Sequence, residues 1–137
     1  MLYLLCGRFY DNIVFSDKAA PKKNRMVLQR IFEFIEDNIE GSCTIESLSR
    51  ALDRTPSYLS QLFSSNIGIP YGEYVRKIRI NRACNYLLNT DDTVLDIAMR
   101  CGYNSLVSFS RSFKALTGEN PIDYRRKNAV NIKKQDL

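Results

Sequence analysis

From Arg25 onward the apolar residues recur with the period of an α-helix. Leu28, Ile31, Phe32, Ile35 and Ile39 fall at spacings of three and four, with Glu33, Glu36 and Asp37 between them. That pattern predicts one amphipathic helix ending near Gly41. Thr44 then stands at the N-cap of a short helix, IESLSRAL. Thr55-Pro56 marks another start: a hydroxyl that accepts from free helix N–H groups, followed by a residue with no N–H to satisfy. The helix it opens, PSYLSQLFSSNI, stops at Gly68. Pro70 opens a long segment, PYGEYVRKIRINRACNYLLN, of about twenty residues and hence ~30 Å. Thr93, with Asp96 three positions on, starts VLDIAMRC, which Gly102 stops. Asn104 or Ser105 caps the next helix, Gly118 ends it, and Pro121 begins a last short one, PIDYRRK. No strand pattern appears after residue 24, so the predicted fold is all-α with about seven helices.

The pattern repeats. PSYLSQLFSSNIGIPYGEY (56 to 74) aligns with LVSFSRSFKALTGENPIDY (106 to 124) at an offset of fifty. Leu59 falls on Phe109, Ser60 on Ser110, Phe63 on Phe113, Gly68 on Gly118 and Tyr74 on Tyr124. A short capped helix precedes each copy, and Asp53 matches Gly102 at an offset of forty-nine. A helix, a tight turn tolerant of the left-handed region and a second helix make a helix-turn-helix unit. Two such units joined by a ~30 Å helix suit two second helices entering successive major grooves, roughly 34 Å apart. One chain would then do, without a palindrome, what dimeric helix-turn-helix proteins do by symmetry.

Composition narrows the chemistry. The chain of 137 residues is 45% hydrophobic and 26% charged, enough for a packed core. A net charge of +5 favours a polyanionic partner. There is no histidine, which removes the commonest general base and the commonest zinc ligand together. Cys6, Cys43, Cys84 and Cys101 are far apart and form no C-x-x-C pair, so they read as small buried residues. These features point away from an enzyme, and no cofactor or metal is expected. The opening MLYLLCGRFY lacks a basic leader and a long apolar core, and no run approaches the ~20 apolar residues of a membrane span. The expected location is the cytoplasm, with no membrane partner.

The run IAMRCGYNS…FSRSFKALTGENPIDYR resembles the second half of the AraC/XylS-type DNA-binding domain, and TPSYLSQLF…RINRA…LL is similar to its first half. The resemblance covers residues 25 to 127. It implies a two-lobed, seven-helix domain of a bacterial transcriptional regulator, each lobe placing one helix in the major groove of double-stranded DNA. RNA polymerase is the implied second partner. Residues 1 to 23 are read as a linker segment, either packed on the domain that follows or the remnant of an upstream sensor domain, through which alone a small-molecule effector would act. Residues 24 to 128 are the DNA-binding domain: first helix-turn-helix at 44–68, linker helix at 70–89, second at 93–118. Residues 129 to 137 are expected to be a flexible tail.

Within each second helix, Leu59, Leu62 and Phe63, and in the other copy Phe109, Phe113 and Leu116, should point inward. By resemblance, Ser57, Ser60, Gln61, Leu106, Val107 and Arg111 hold the positions that face base edges. Gln can pair bidentately with adenine and Arg with guanine, whereas Leu106 and Val107 can meet only thymine methyls or sugar. Arg111 has a second reading, as a structural partner of an acid or a helix end. Resemblance also places Arg76 and Arg125 on phosphates, and Lys114, beside Phe113, is a third candidate. Arg79 is read as an internal pairing residue, and Asp53 as a tolerable substitute for the usual turn glycine. A competing function is a protein-interaction module that contacts polymerase or another regulator without tight DNA binding.

Overall fold

The computed structural model describes residues 22 to 135, with side chains through residue 128. Seven helices account for these residues: α1 (Lys22–Asn38), α2 (Ile45–Leu52), α3 (Pro56–Ile67), α4 (Tyr71–Asn89), α5 (Val94–Arg100), α6 (Leu106–Thr117) and α7 (Pro121–Gln135). No strand occurs among the described residues. The reading of residues 1 to 21 falls outside them, and Lys22 and Lys23, expected to close the linker, already belong to α1.

The chain divides into two units, one ending at Ile78 and the other beginning at Arg79, so the division falls inside α4. Each unit has its own core. In the first, Leu28, Ile31 and Ile35 of α1 meet Leu48 of α2, Leu59 and Phe63 of α3, and Tyr71 and Tyr74 of α4. Phe63 is the hub, its ring edge-on to Tyr74 at 5.2 Å, Tyr71 at 5.6 Å and Phe32 at 6.1 Å. In the second, Ile80, Ala83, Cys84 and Leu87 of α4 pack with Ile97, Cys101, Phe109, Phe113 and Tyr124. Phe113 sits edge-on to Tyr124 at 5.3 Å, and Phe109 lies 5.7 Å from Phe113. Burying one such ring stabilises a unit by roughly 1.5–3 kcal/mol from area alone.

The local signals act as their chemistry demands. Thr55 Oγ1 accepts from the Tyr58 N–H at 3.2 Å, and fifty residues on Ser105 Oγ accepts from the Ser108 N–H at 3.1 Å. Of the two candidate caps for α6, Ser105 takes the role. Thr44 and Thr93 cap α2 and α5 in the same way, each at 3.1 Å. At the helix ends Gly68 (φ 91) and Gly118 (φ 82) turn into the left-handed region. Their N–H groups donate to Ser64 and Lys114 carbonyls at 2.9 and 2.8 Å. Asp53 is the one non-glycine residue with positive φ among the described residues, at φ 53 and ψ 50. It takes the part that Gly102, at φ 87, plays in the second turn, as a short polar side chain allows.

One boundary differs from expectation. The last helix does not stop at Lys127 but runs to Gln135, across much of the segment expected to be a flexible tail. No glycine or proline stands between Lys127 and the terminus, so nothing local breaks it. Asn128 Nδ2 also donates to the Tyr124 carbonyl one turn back, at 2.8 Å.

Candidate nucleic-acid interface

The candidate interface comprises the outward faces of α3 and α6, the second helix of each helix-turn-helix. Helical geometry puts residues three and four apart on one face. On α3 the inward stripe is Leu59, Leu62 and Phe63, all buried, and the opposite face presents Ser57, Ser60 and Gln61, all exposed. On α6 the inward stripe is Phe109 and Phe113, with Leu116 half-buried against the same core. The outward face carries Leu106, Val107, Arg111 and Lys114, all exposed, while Ser110 is half-buried.

The two faces correspond position by position but differ in character. Ser57 matches Val107, Gln61 matches Arg111 and Ser64 matches Lys114. The first face is polar and uncharged. The second combines two cations with two apolar side chains.

Arg111 makes no hydrogen bond or ion pair with any described residue. The structural reading of this arginine therefore finds no partner among them. The Gln61 side-chain amide is equally unengaged. Arg76 is exposed on α4 and unpaired, whereas its neighbour Lys77 lies 3.7 Å from Glu73. Arg79 is half-buried with its guanidinium 5.9 Å from the centre of the Tyr103 ring.

Arg125 has a task that the sequence does not announce. Its Nε donates to the Leu87 carbonyl at 3.0 Å and its Nη2 to the Thr90 carbonyl at 3.1 Å. These are carbonyls at the end of α4, where helical partners run out. Thr90 completes that end by donating from N and from Oγ1 to Tyr86 O, at 3.0 and 2.7 Å. Arg125, expected on a phosphate, is half-buried and ties α7 to the end of α4.

A basic cleft is likewise absent from the sequence pattern. Lys23, Arg50 and Arg54 line it together with the single acid Asp53 and with Thr55, Pro56 and Tyr58, beside the first turn and the start of α3. Lys23 comes from α1 and Arg50 from α2, so only the folded unit assembles it. The one signal in the chain is the pair of arginines flanking Asp53.

A tandem helix-turn-helix DNA-binding domain is the class that this arrangement defines, two capped helix pairs each with an apolar core and an open outer face. A helix-turn-helix domain family model matches residues 48 to 127. The C-terminal domain of AraT, a response regulator from Geobacillus stearothermophilus, superposes with a TM-score of 0.72 at 32% identity, covering 74% of this chain and 84% of that one. YkgA of Escherichia coli strain K12, provisionally described as an HTH-type transcriptional regulator, is 36% identical over 118 residues, covering 86% of this chain and 48% of YkgA. AarP of Providencia stuartii, an HTH-type transcriptional activator, is 32% identical over 99 residues, covering 72% of this chain and 73% of AarP. The chain belongs to the AraC-type helix-turn-helix family of DNA-binding transcriptional regulators. It spans less than half the length of YkgA.

Proposed function

We propose that this chain binds double-stranded DNA sequence-specifically, laying α3 and α6 in successive major grooves, and regulates transcription in a bacterium. The observation that carries this reading is the matched pair of second helices. Their caps Thr55 and Ser105, core phenylalanines Phe63 and Phe113 and glycine stops fall at matching positions, and the side chains of Ser57, Ser60, Gln61 and Arg111 have no internal partner among the described residues. In this reading Ser57, Ser60, Gln61, Leu106, Val107 and Arg111 meet base edges, while Arg76 and Lys114 meet phosphates. Arg125 fixes α7 against the end of α4. The 19 residues of α4 extend ~28 Å, a length suited to bridging one turn of B-DNA, roughly 34 Å.

RNA polymerase is the second partner proposed, by analogy with the activator AarP. Effector control, in this reading, belongs to a separate sensor domain and not to these helices. No described helix is long and apolar enough to cross a membrane, consistent with a cytoplasmic site of action.

Selection of bound duplexes from a random pool tests the reading directly. The expected result is a site with two blocks of preference one helical turn apart, bound with a steep salt dependence of about −0.9 per phosphate contacted on a log–log plot. No enrichment and a flat salt response would overturn it in favour of a protein-interaction module.

A further inference from the structure

Val107 is 69% exposed, the highest value among the exposed large apolar side chains of the described residues, and Leu106 beside it is 42% exposed. Neither serves the core, which α6 already supplies through Phe109 and Phe113, both 0% exposed. Leu106 and Val107 form the first turn of α6, immediately after the capping Ser105. In a helix-turn-helix it is the N-terminal part of the second helix that reaches base edges. The matching positions on α3 are Pro56 and Ser57, so the apolar pair is peculiar to the second unit.

Building on the DNA-binding reading above, we infer that the second unit reads thymine 5-methyl groups through Val107 and Leu106. The 5-methyl of thymine is the distinctive apolar feature that a base pair shows in the major groove. An aliphatic side chain there finds a match at thymine and leaves a polar edge unsatisfied at any other base. Val107 and Arg111 are four residues apart, about 6 Å along the helix axis and on the same outward face. The methyl-reading position is therefore expected in the same block as the base that Arg111 meets. The first unit has Pro56 and Ser57 in those places, and its exposed aromatic there, Tyr58, ends in a polar hydroxyl.

The test uses the selected duplex with each thymine replaced in turn by deoxyuridine, which removes the methyl and leaves every hydrogen-bonding group. Burying a methyl is worth ~0.8 kcal/mol, so the expected result is about four-fold weaker binding at one or two thymines of the second block. Thymines in the first block should respond less. Leu106→Ser and Val107→Ser, combined in one variant, are surface changes, checked for folding by circular dichroism. In this variant the thymine and deoxyuridine duplexes should bind alike, which separates direct methyl contact from an effect of the methyl on DNA shape.

If the wild-type chain binds its selected site specifically yet ignores every deoxyuridine, the methyl-reading inference is wrong and the DNA-binding reading stands. The inference also fails if the thymine preference survives in the double variant. Failure to select any site sinks both.

Discussion

Arg125 donates from Nε to the carbonyl of Leu87 across 3.0 Å, joining residues thirty-eight apart in sequence at the end of α4. With the second bond to Thr90, a charged fork holds two otherwise unfulfilled carbonyls. Hydrogen bonds to charged groups contribute ~1.5–3 kcal/mol each and are not additive. Arg125→Ala should lower stability by about 2–3 kcal/mol in urea unfolding. Arg125→Lys should recover little, since an ammonium is a point charge and lacks the planar fork. The salt slope of DNA binding should stay as in the wild type, because this guanidinium is engaged internally; a slope reduced by one phosphate contact would return it to the DNA backbone.

Arg76 should behave in the opposite way. It is exposed and unpaired on α4, so Arg76→Ala should leave folding unchanged and weaken binding to all sequences alike. The log–log salt slope should fall by about 0.9. Titrations at several salt concentrations, with specific and random duplexes, measure both effects.

Arg111→Ala should cost about 1–3 kcal/mol of binding to the cognate site and relax preference at one base pair. A repeat selection with the variant would locate that pair as the position where guanine enrichment disappears. Equal loss on specific and random DNA would instead make Arg111 a phosphate contact.

The turn at Asp53 offers a test of backbone strain. Its φ of 53 is left-handed, a region costing an ordinary residue roughly 1–2 kcal/mol. Asp53→Val should destabilise the first unit by about that much, whereas Asp53→Asn should be close to neutral. Asp53→Gly relieves the strain but frees the unfolded chain, an entropic loss of ~0.4–1 kcal/mol, so a small net gain in thermal stability is expected.

Phe63 and Phe113 hold equivalent places in separate cores, both 0% exposed. Phe→Ala at a buried site costs ~3–5 kcal/mol. Phe63→Ala should raise hydrogen exchange most in α1 to α3, and Phe113→Ala most in α5 to α7. Uniform loss of protection throughout the chain in either variant would show that the two units unfold as one.

Much of this architecture is written in short-range signals. Thr55-Pro56, Thr93, Gly68 and Gly118 each mark a helix end by local chemistry, and the buried Leu59 and Phe63, Phe109 and Phe113, follow from helical spacing alone. The offset of fifty exposes the duplication because both copies must solve the same packing problem. What stays hidden depends on contacts distant in sequence. No local feature tells Arg125 to seek Leu87 and Thr90, and the cleft of Lys23, Arg50 and Arg54 exists only once α1, α2 and the first turn meet. The end of α7 is obscured for a different reason: the residues after Lys127 look frayed, yet they hold no glycine or proline to mark an earlier stop.

In the proposed DNA complex, the unlike outer surfaces of α3 and α6 impose a polarity. A reader with a neutral, amide-bearing end and a cationic, aliphatic end cannot sit equally well in both orientations on its site. Turning that site around within a promoter would therefore turn the protein around too, presenting a different side to whatever stands next to it on the DNA.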